Sequence, residues 1–230
     1  MLSTIHLHPT APLAERVLLP GDPGRALLLA QALLTEPKMF NHNRGLWGYT
    51  GEACDGHALT IQSTGMGGPS AAIVITELAE LGATTLLRVG TCGGLDESLS
   101  LGQLLVVTEA LSDDGTSRAL GSGDRAPADP ELVDRLTAAA PVAACGPVVT
   151  TDLFYDSAEG AERIWLAAGA LAVEMETATL FTLAARRGLR AGCALIVTDL
   201  LLPIRRRVDV KPLRAAEHRL GELALAAVTG

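Results

Sequence analysis

The chain has 230 residues, 48% of them hydrophobic, with 26 acidic against 18 basic side chains and a formal net charge of -8. That length and apolar content suffice for one sizeable core, so residues 1–230 are expected to form a single domain. The negative field repels nucleic acid and anionic lipid, and no apolar stretch has membrane-spanning length or signal-peptide form, which points to a cytoplasmic protein with a small soluble ligand.

Apolar runs rich in Val, Ile and Leu alternate with longer helix-patterned stretches. This predicts an α/β fold, a single three-layer α/β/α domain with a central mixed sheet flanked by helices. Strands are predicted at 17–19, 58–63, 85–90, 104–108, 148–150, 170–173 and 193–198, and helices at 24–34, 69–81, 130–140, 176–187 and 213–228. Residues 47–50 add an antiparallel portion. The stretch 113–130, rich in Gly, Ser, Asp, Ala and Pro, reads as a surface excursion. The stretch 203–212, with Arg205, Arg206 and Arg207, reads either as a solvated loop or as a lid over a ligand. The four cysteines, Cys54, Cys92, Cys145 and Cys193, stand singly, without the paired spacing that zinc or redox chemistry needs. No metal site is expected.

Five segments carry the chemistry. The first strand runs into Pro20-Gly21-Asp22-Pro23-Gly24-Arg25. A glycine turn opening a helix offers backbone N–H groups and a helix dipole to an anion, and Arg25 adds charge; an ordinary capped turn has the same pattern. The strand at 85–90 leads through Arg88-Val89-Gly90-Thr91-Cys92-Gly93-Gly94. An arginine at the end of a buried strand needs a counter-charge, which either a bound phosphate or a structural salt bridge supplies. Thr91 offers a hydroxyl, and the glycines let a flat group lie against the backbone. The run is neither a Walker loop nor a dinucleotide fingerprint.

Asp152-Leu153-Phe154-Tyr155 pairs two rings in a chain that is only 3% aromatic, forming either a stacking wall for a base or a small satellite core. In Glu174-Met175-Glu176, Glu176 suits a helix N-terminus, while Glu174 at the strand end suits a vicinal diol. Asp199 ends the strand at 193–198, as a cap or as a general acid toward a leaving base.

In this order and spacing, the segments resemble the nucleoside phosphorylase family whose bacterial members assemble as trimers of dimers. The resemblance is carried by Pro20-Gly21-Asp22-Pro23 with Arg25, Asn43-Arg44-Gly45 with Gly48-Tyr49-Thr50-Gly51, and Gly65-Met66-Gly67-Gly68-Pro69-Ser70. It continues through Arg88-Val89-Gly90-Thr91, Asp152-Leu153-Phe154-Tyr155, Glu174-Met175-Glu176 and Asp199, nearly the whole chain. It implies phosphorolysis of purine nucleosides to free base and ribose 1-phosphate, with inorganic phosphate as co-substrate and no metal or organic cofactor.

By that resemblance Gly21, Arg25, Arg88 and Thr91 would bind phosphate, joined by Arg44 from a neighbouring subunit of a homo-oligomer, a hexamer in the bacterial pattern. His6 would cross the same interface to the ribose 5′-hydroxyl. Glu176 and Met175 would hold the ribose hydroxyls, and Glu174, Val173, Phe154, Tyr155, Cys92, Gly93 and Thr198 would line the sugar and base pocket. Asp199 would assist departure of the purine from its N7 side. Purine members also place an arginine on a later helix to help that acid; here His218 or Arg219 falls near the place. The pyrimidine branch reads uracil with a glutamine and an arginine after the Phe-Tyr pair, and Asp156-Ser157-Ala158-Glu159-Gly160-Ala161 holds neither. A uridine phosphorylase, a nucleoside hydrolase and a non-catalytic nucleoside-binding protein are the alternative readings.

Overall fold

The computed structural model describes residues 4–155 and 158–229. Strand β1 (Arg16–Leu19) leads to helix α1 (Pro23–Leu33), β2 (Thr35–Asn41), a 3-10 turn at Asn43–Gly45, β3 (Gly48–Glu52), β4 (Ala58–Gln62) and α2 (Gly68–Glu80). Then come β5 (Thr85–Gly94), β6 (Leu104–Asp113), α3 (Gly115–Ala119), β7 (Arg125–Pro127), α4 (Pro130–Ala139) and β8 (Ala144–Thr151). The chain ends with α5 (Ala161–Ala167), β9 (Ala172–Glu174), α6 (Thr177–Arg187), β10 (Arg190–Leu200), β11 (Arg206–Arg207) and α7 (Val210–Val228). No helix among the described residues is long and apolar enough to cross a membrane.

Helix starts follow local chemistry. Asp22 accepts the backbone N–H groups of Gly24 and Arg25 with Pro23 in the first turn of α1, and Asp129 accepts that of Leu132 ahead of α4. Each such cap is worth about 1 kcal/mol. Helix α6 stops at Gly188, whose φ of 67° suits glycine.

Successive side chains on the central strands enter different cores, as a sheet covered on both faces requires. In β1, Val17 and Leu19 face one core and Leu18 the other. In β10, Cys193, Leu195 and Val197 separate in the same way from Ala194 and Ile196. The α/β class and mixed sheet are as expected, but the sheet also closes on itself. Strand β5 pairs with β10, β10 with β6, β6 with β8, β8 with β9, and β9 again with β5. Strands β1, β4, β3 and β2 extend from β5 as an open arm.

Direction matters more than count. Strands β1 and β10 run parallel to β5, whereas β9 runs antiparallel to it, with Val173 opposite Gly93. The chain leaving β9 therefore travels back along β5 toward Arg88. Strand β5 also extends to Gly94, past the predicted end at residue 90, because β10 and β9 bond both edges of its glycine-rich end.

The supposed excursion at 113–130 contains α3 and β7. Helix α3 is set by Asp114, which accepts the N–H of Ser117, and β7 by pairing with β6. Strand β2 escapes the sequence pattern because its register is interrupted twice and Glu36 has a φ of 46°.

Candidate functional site

A cavity of about 540 Å³ opens where the β1–α1 turn, the second half of β5, the β9–α6 junction and the end of β10 converge. Gly21, Arg25, Arg88, Thr91, Cys92 and Gly93 line it, as do Val173, Glu174, Met175 and Glu176. Phe154, Thr198 and Asp199 complete the set of expected residues that meet there.

Its centre is a buried charge cluster. Arg88 donates from Nε to Glu174 Oε2 at 3.0 Å, and its Nη2 lies 2.5 Å from Glu176 Oε2. Burial works to lower the Arg88 pKa, but the charges of Glu176 and Glu174 outweigh it, and the guanidinium is held protonated. Breaking such a buried pair from one side costs about 3–5 kcal/mol. These contacts use Nε and Nη2, and Nη1 makes no hydrogen bond among the described residues. Arg88 itself lines the cavity.

The two carboxylates differ in commitment. Glu174 accepts the Thr150 hydroxyl at 2.5 Å and the backbone N–H groups of Glu176 and Thr177 at 2.9 and 3.0 Å, besides Arg88. Its acceptor capacity is filled, which corrects the expectation that it receives a sugar diol; it anchors Arg88 and the start of α6. Glu176 accepts Arg88 and the N–H of Gly67 at 2.5 Å, leaving lone pairs for hydroxyl donors. Burial raises the Glu176 pKa; Arg88 opposes the rise and Glu174 adds to it.

Glycine makes the geometry possible. A Cβ built on Gly90 would lie 2.8 Å from Arg88 Cζ, so the guanidinium lies over a position that only glycine leaves clear. Arg25 is anchored differently, its Nε donating to Glu217 on α7 at 2.9 Å.

At the other end, Asp199 accepts the Thr198 hydroxyl at 3.0 Å and Arg205 Nη2 and Nε at 3.3 and 3.4 Å. The Arg205 guanidinium also stands 5.5 Å from the centroid of the Phe154 ring. Arg205, not His218 or Arg219, thus faces the acid. His218 and Arg219 are exposed and line no part of the cavity, and Arg219 Nη2 instead lies 3.4 Å from the carbonyl of Gly102. Cys92 is buried, and burial raises its thiol pKa, which keeps it neutral and removes it as a nucleophile.

Three further expected residues lie outside this cavity. Tyr155 packs edge-to-face on Phe154, with ring centroids 4.8 Å apart, and is exposed. His6 is held by Glu77, with Nδ1 2.8 Å from Oε1, while the backbone N–H groups of Ile5, His6 and Leu7 converge on the same carboxylate. Arg44 is exposed, has a φ of 58°, and makes no ion pair among the described residues. For His6 and Arg44 the expectation concerns a neighbouring subunit. Of the residues after the Phe-Tyr pair, Asp156 and Ser157 lie outside the described residues.

The sequence reading quoted Gly65 and Met66 in its resemblance and Arg205 in a stretch that could cover a ligand, but gave none of them a site role, and did not single out Glu162 or Trp165; all five line the cavity.

Comparison with known proteins gives a consistent picture. The family model described as the phosphorylase superfamily matches residues 15–229. The DeoD-type purine nucleoside phosphorylase of Caldanaerobacter subterraneus subsp. tengcongensis is 38% identical over 197 residues, covering 83% of this chain and 84% of that protein. That of Geobacillus kaustophilus is 40% identical over 203 residues, covering 84% of each. Among solved structures, uridine phosphorylase from Vibrio fischeri ES114 matches with a TM-score of 0.86 at 28% identity, covering 94% of this chain and 91% of that one.

The Gly90 clearance yields a direct test. Gly90→Ala forces the Arg88 guanidinium off its contacts with Glu174 and Glu176, so stability should fall by about 1–3 kcal/mol, the cost of overfilling a packed site. Denaturant unfolding of the two proteins measures it.

Proposed function

This chain belongs to the phosphorylase superfamily, and from that premise we propose that it cleaves purine ribo- and deoxyribonucleosides with inorganic phosphate, yielding free base and the corresponding pentose 1-phosphate. The observation that carries the reading is that Arg25, Arg88, Glu176 and Asp199 line one cavity. An acidic protein of net charge -8 places three arginines there; with Arg205 turned to Asp199, Arg25 and Arg88 are the pair that an anionic co-substrate explains and water as nucleophile does not.

In this mechanism phosphate sits between Arg25 and Arg88, with the Gly21 turn and the Thr91 hydroxyl as further donors. Glu176 accepts the ribose hydroxyls, and Met175 supplies an apolar surface to the sugar. As the glycosidic bond lengthens, positive charge builds on the ribose and negative charge on the base. A phosphate oxygen bonds to C1′ as the bond to N9 breaks and offsets the first, while the Asp199 carboxyl donates a proton to N7, so the base leaves neutral. Arg205 orients Asp199 and, with Phe154, covers the base. The reaction draws on phosphate as co-substrate and on no cofactor.

The reading extends to assembly, with Arg44 and His6 serving the site of a second copy in a homo-oligomer, a hexamer by family pattern. Its support is an exposed arginine without an ion pair among the described residues, in a chain that also leaves the apolar side chains Ile5, Trp47, Met66 and Ile73 exposed. Cysteines that are all free, Cys54, Cys92, Cys145 and Cys193, are compatible with a reducing, cytoplasmic setting.

Two measurements check these points. Purified protein should release base from inosine, guanosine or adenosine faster than from uridine and only when phosphate is present; turnover independent of phosphate would mean hydrolysis. Asp199→Ala should lower kcat by about 100-fold or more, as loss of a proton-sharing group does, while nucleoside binding persists. For assembly, light scattering should give a mass of at least a dimer, and Arg44→Ala should weaken phosphate binding at unchanged mass; a monomer with full activity sinks that part.

A further inference from the structure

Five carboxylates line the cavity, Asp22, Glu162, Glu174, Glu176 and Asp199, and four have partners. Asp22 caps α1, Glu174 and Glu176 hold Arg88, and Asp199 faces Arg205. Glu162, in the first turn of α5, makes no hydrogen bond or ion pair among the described residues.

The same cavity carries an apolar surface. Trp165, three residues on and therefore on the same face of α5, also lines the cavity. Its indole N–H is already given to Asp113 Oδ2 at 2.7 Å, so it presents only its ring. Val173 and Leu201 pack against the apolar cluster that holds Trp165, and Leu153 and Phe154 line the same cavity. Phe154 and Asp199 belong to the same end, since Arg205 touches both.

A purine whose N7 edge meets Asp199 turns its N1–C2 edge the other way. In 6-oxopurines N1 carries a hydrogen, and guanine adds a 2-amino group; in adenine N1 is a lone pair. A carboxylate accepts from the former and repels the latter.

We propose that Glu162 is a specificity-determining residue that accepts a hydrogen bond from the N1–H edge of 6-oxopurines and disfavours 6-aminopurines. The proposal rests on the purine reading of the site and deepens it. A helix-dipole role for an acid in the first turn of α5 accounts for its presence in the helix, but not for its place in the cavity wall.

The test compares kcat/KM for inosine, guanosine and adenosine, with phosphate present, in the unmodified protein, Glu162→Gln and Glu162→Ala. The unmodified protein should favour the 6-oxo substrates by about 10- to 100-fold, the worth of one hydrogen bond to a charged group. Glu162→Gln, whose amide can donate to the adenine lone pair, should narrow that preference by raising adenosine turnover. Glu162→Ala should narrow it by lowering inosine and guanosine turnover. A preference for adenosine in the unmodified protein, or a ratio unchanged in both variants, overturns the role of Glu162 and leaves phosphorolysis standing. Absence of phosphate-dependent turnover with all three nucleosides overturns both.

Discussion

A guanidinium removed from water must keep its charge compensated, and Arg88 does so between Glu174 and Glu176 while Nη1 takes part in neither contact. That arrangement constrains everything around it. One carboxylate is filled by backbone and hydroxyl donors and acts as a fixed counter-charge. The other keeps acceptor capacity, so one buried cation can join an anion on one side to a polyol on the other. Two carboxylates around one guanidinium leave a net negative charge in a poorly solvated place, which explains why burial and Glu174 both raise the Glu176 pKa. A second cation answers that imbalance when an anion arrives. Arg25 stands on the same cavity, anchored by Glu217 from α7.

The closed part of the sheet is what delivers these groups. A parallel β9 would carry the Glu174-Met175-Glu176 segment away from Arg88, beyond the end of β5. Because β9 runs antiparallel and pairs at Gly93 and Gly94, the segment turns back over the strand. Gly90 clears the space that the guanidinium then fills. The same strand end pairs with β10, which sets Asp199 opposite Gly93 and fixes the reach from the Arg88 cluster to the acid.

Much of this was legible in the sequence. Helix positions followed from capping aspartates and prolines, and strand positions from runs of Val, Ile and Leu, because both signals are local. The meeting of Arg25, Arg88, Glu176 and Asp199 was legible because each lies where an apolar run breaks into glycine or charge, although Arg25 falls in α1 and Arg88 in the interior of β5. Closure of the sheet was not, since strand direction is set by partners far away in the chain. For the same reason Glu174 was assigned to the sugar: its four donors come from Arg88, Thr150, Glu176 and Thr177, and the most distant cannot be read from a motif. Arg205 displaced His218 and Arg219 as the partner of Asp199 because the turn after β10 brings it back, whereas α7 carries the other two outward. Glu162 and Trp165 were invisible because a seven-residue helix gives too short a period to read.

On the proposed function, Arg88 is fixed by two carboxylates through Nε and Nη2 and meets the anion with the remaining donor of its planar fork, which a point charge could not do. Titration of inorganic phosphate into the unmodified protein and into Arg88→Lys tests it most directly, since lysine keeps the charge and the ion pairs' sign but loses the fork. The account predicts phosphate binding that weakens at least about tenfold in the variant, with an unchanged circular dichroism spectrum. Equal phosphate affinity in the two proteins would contradict it.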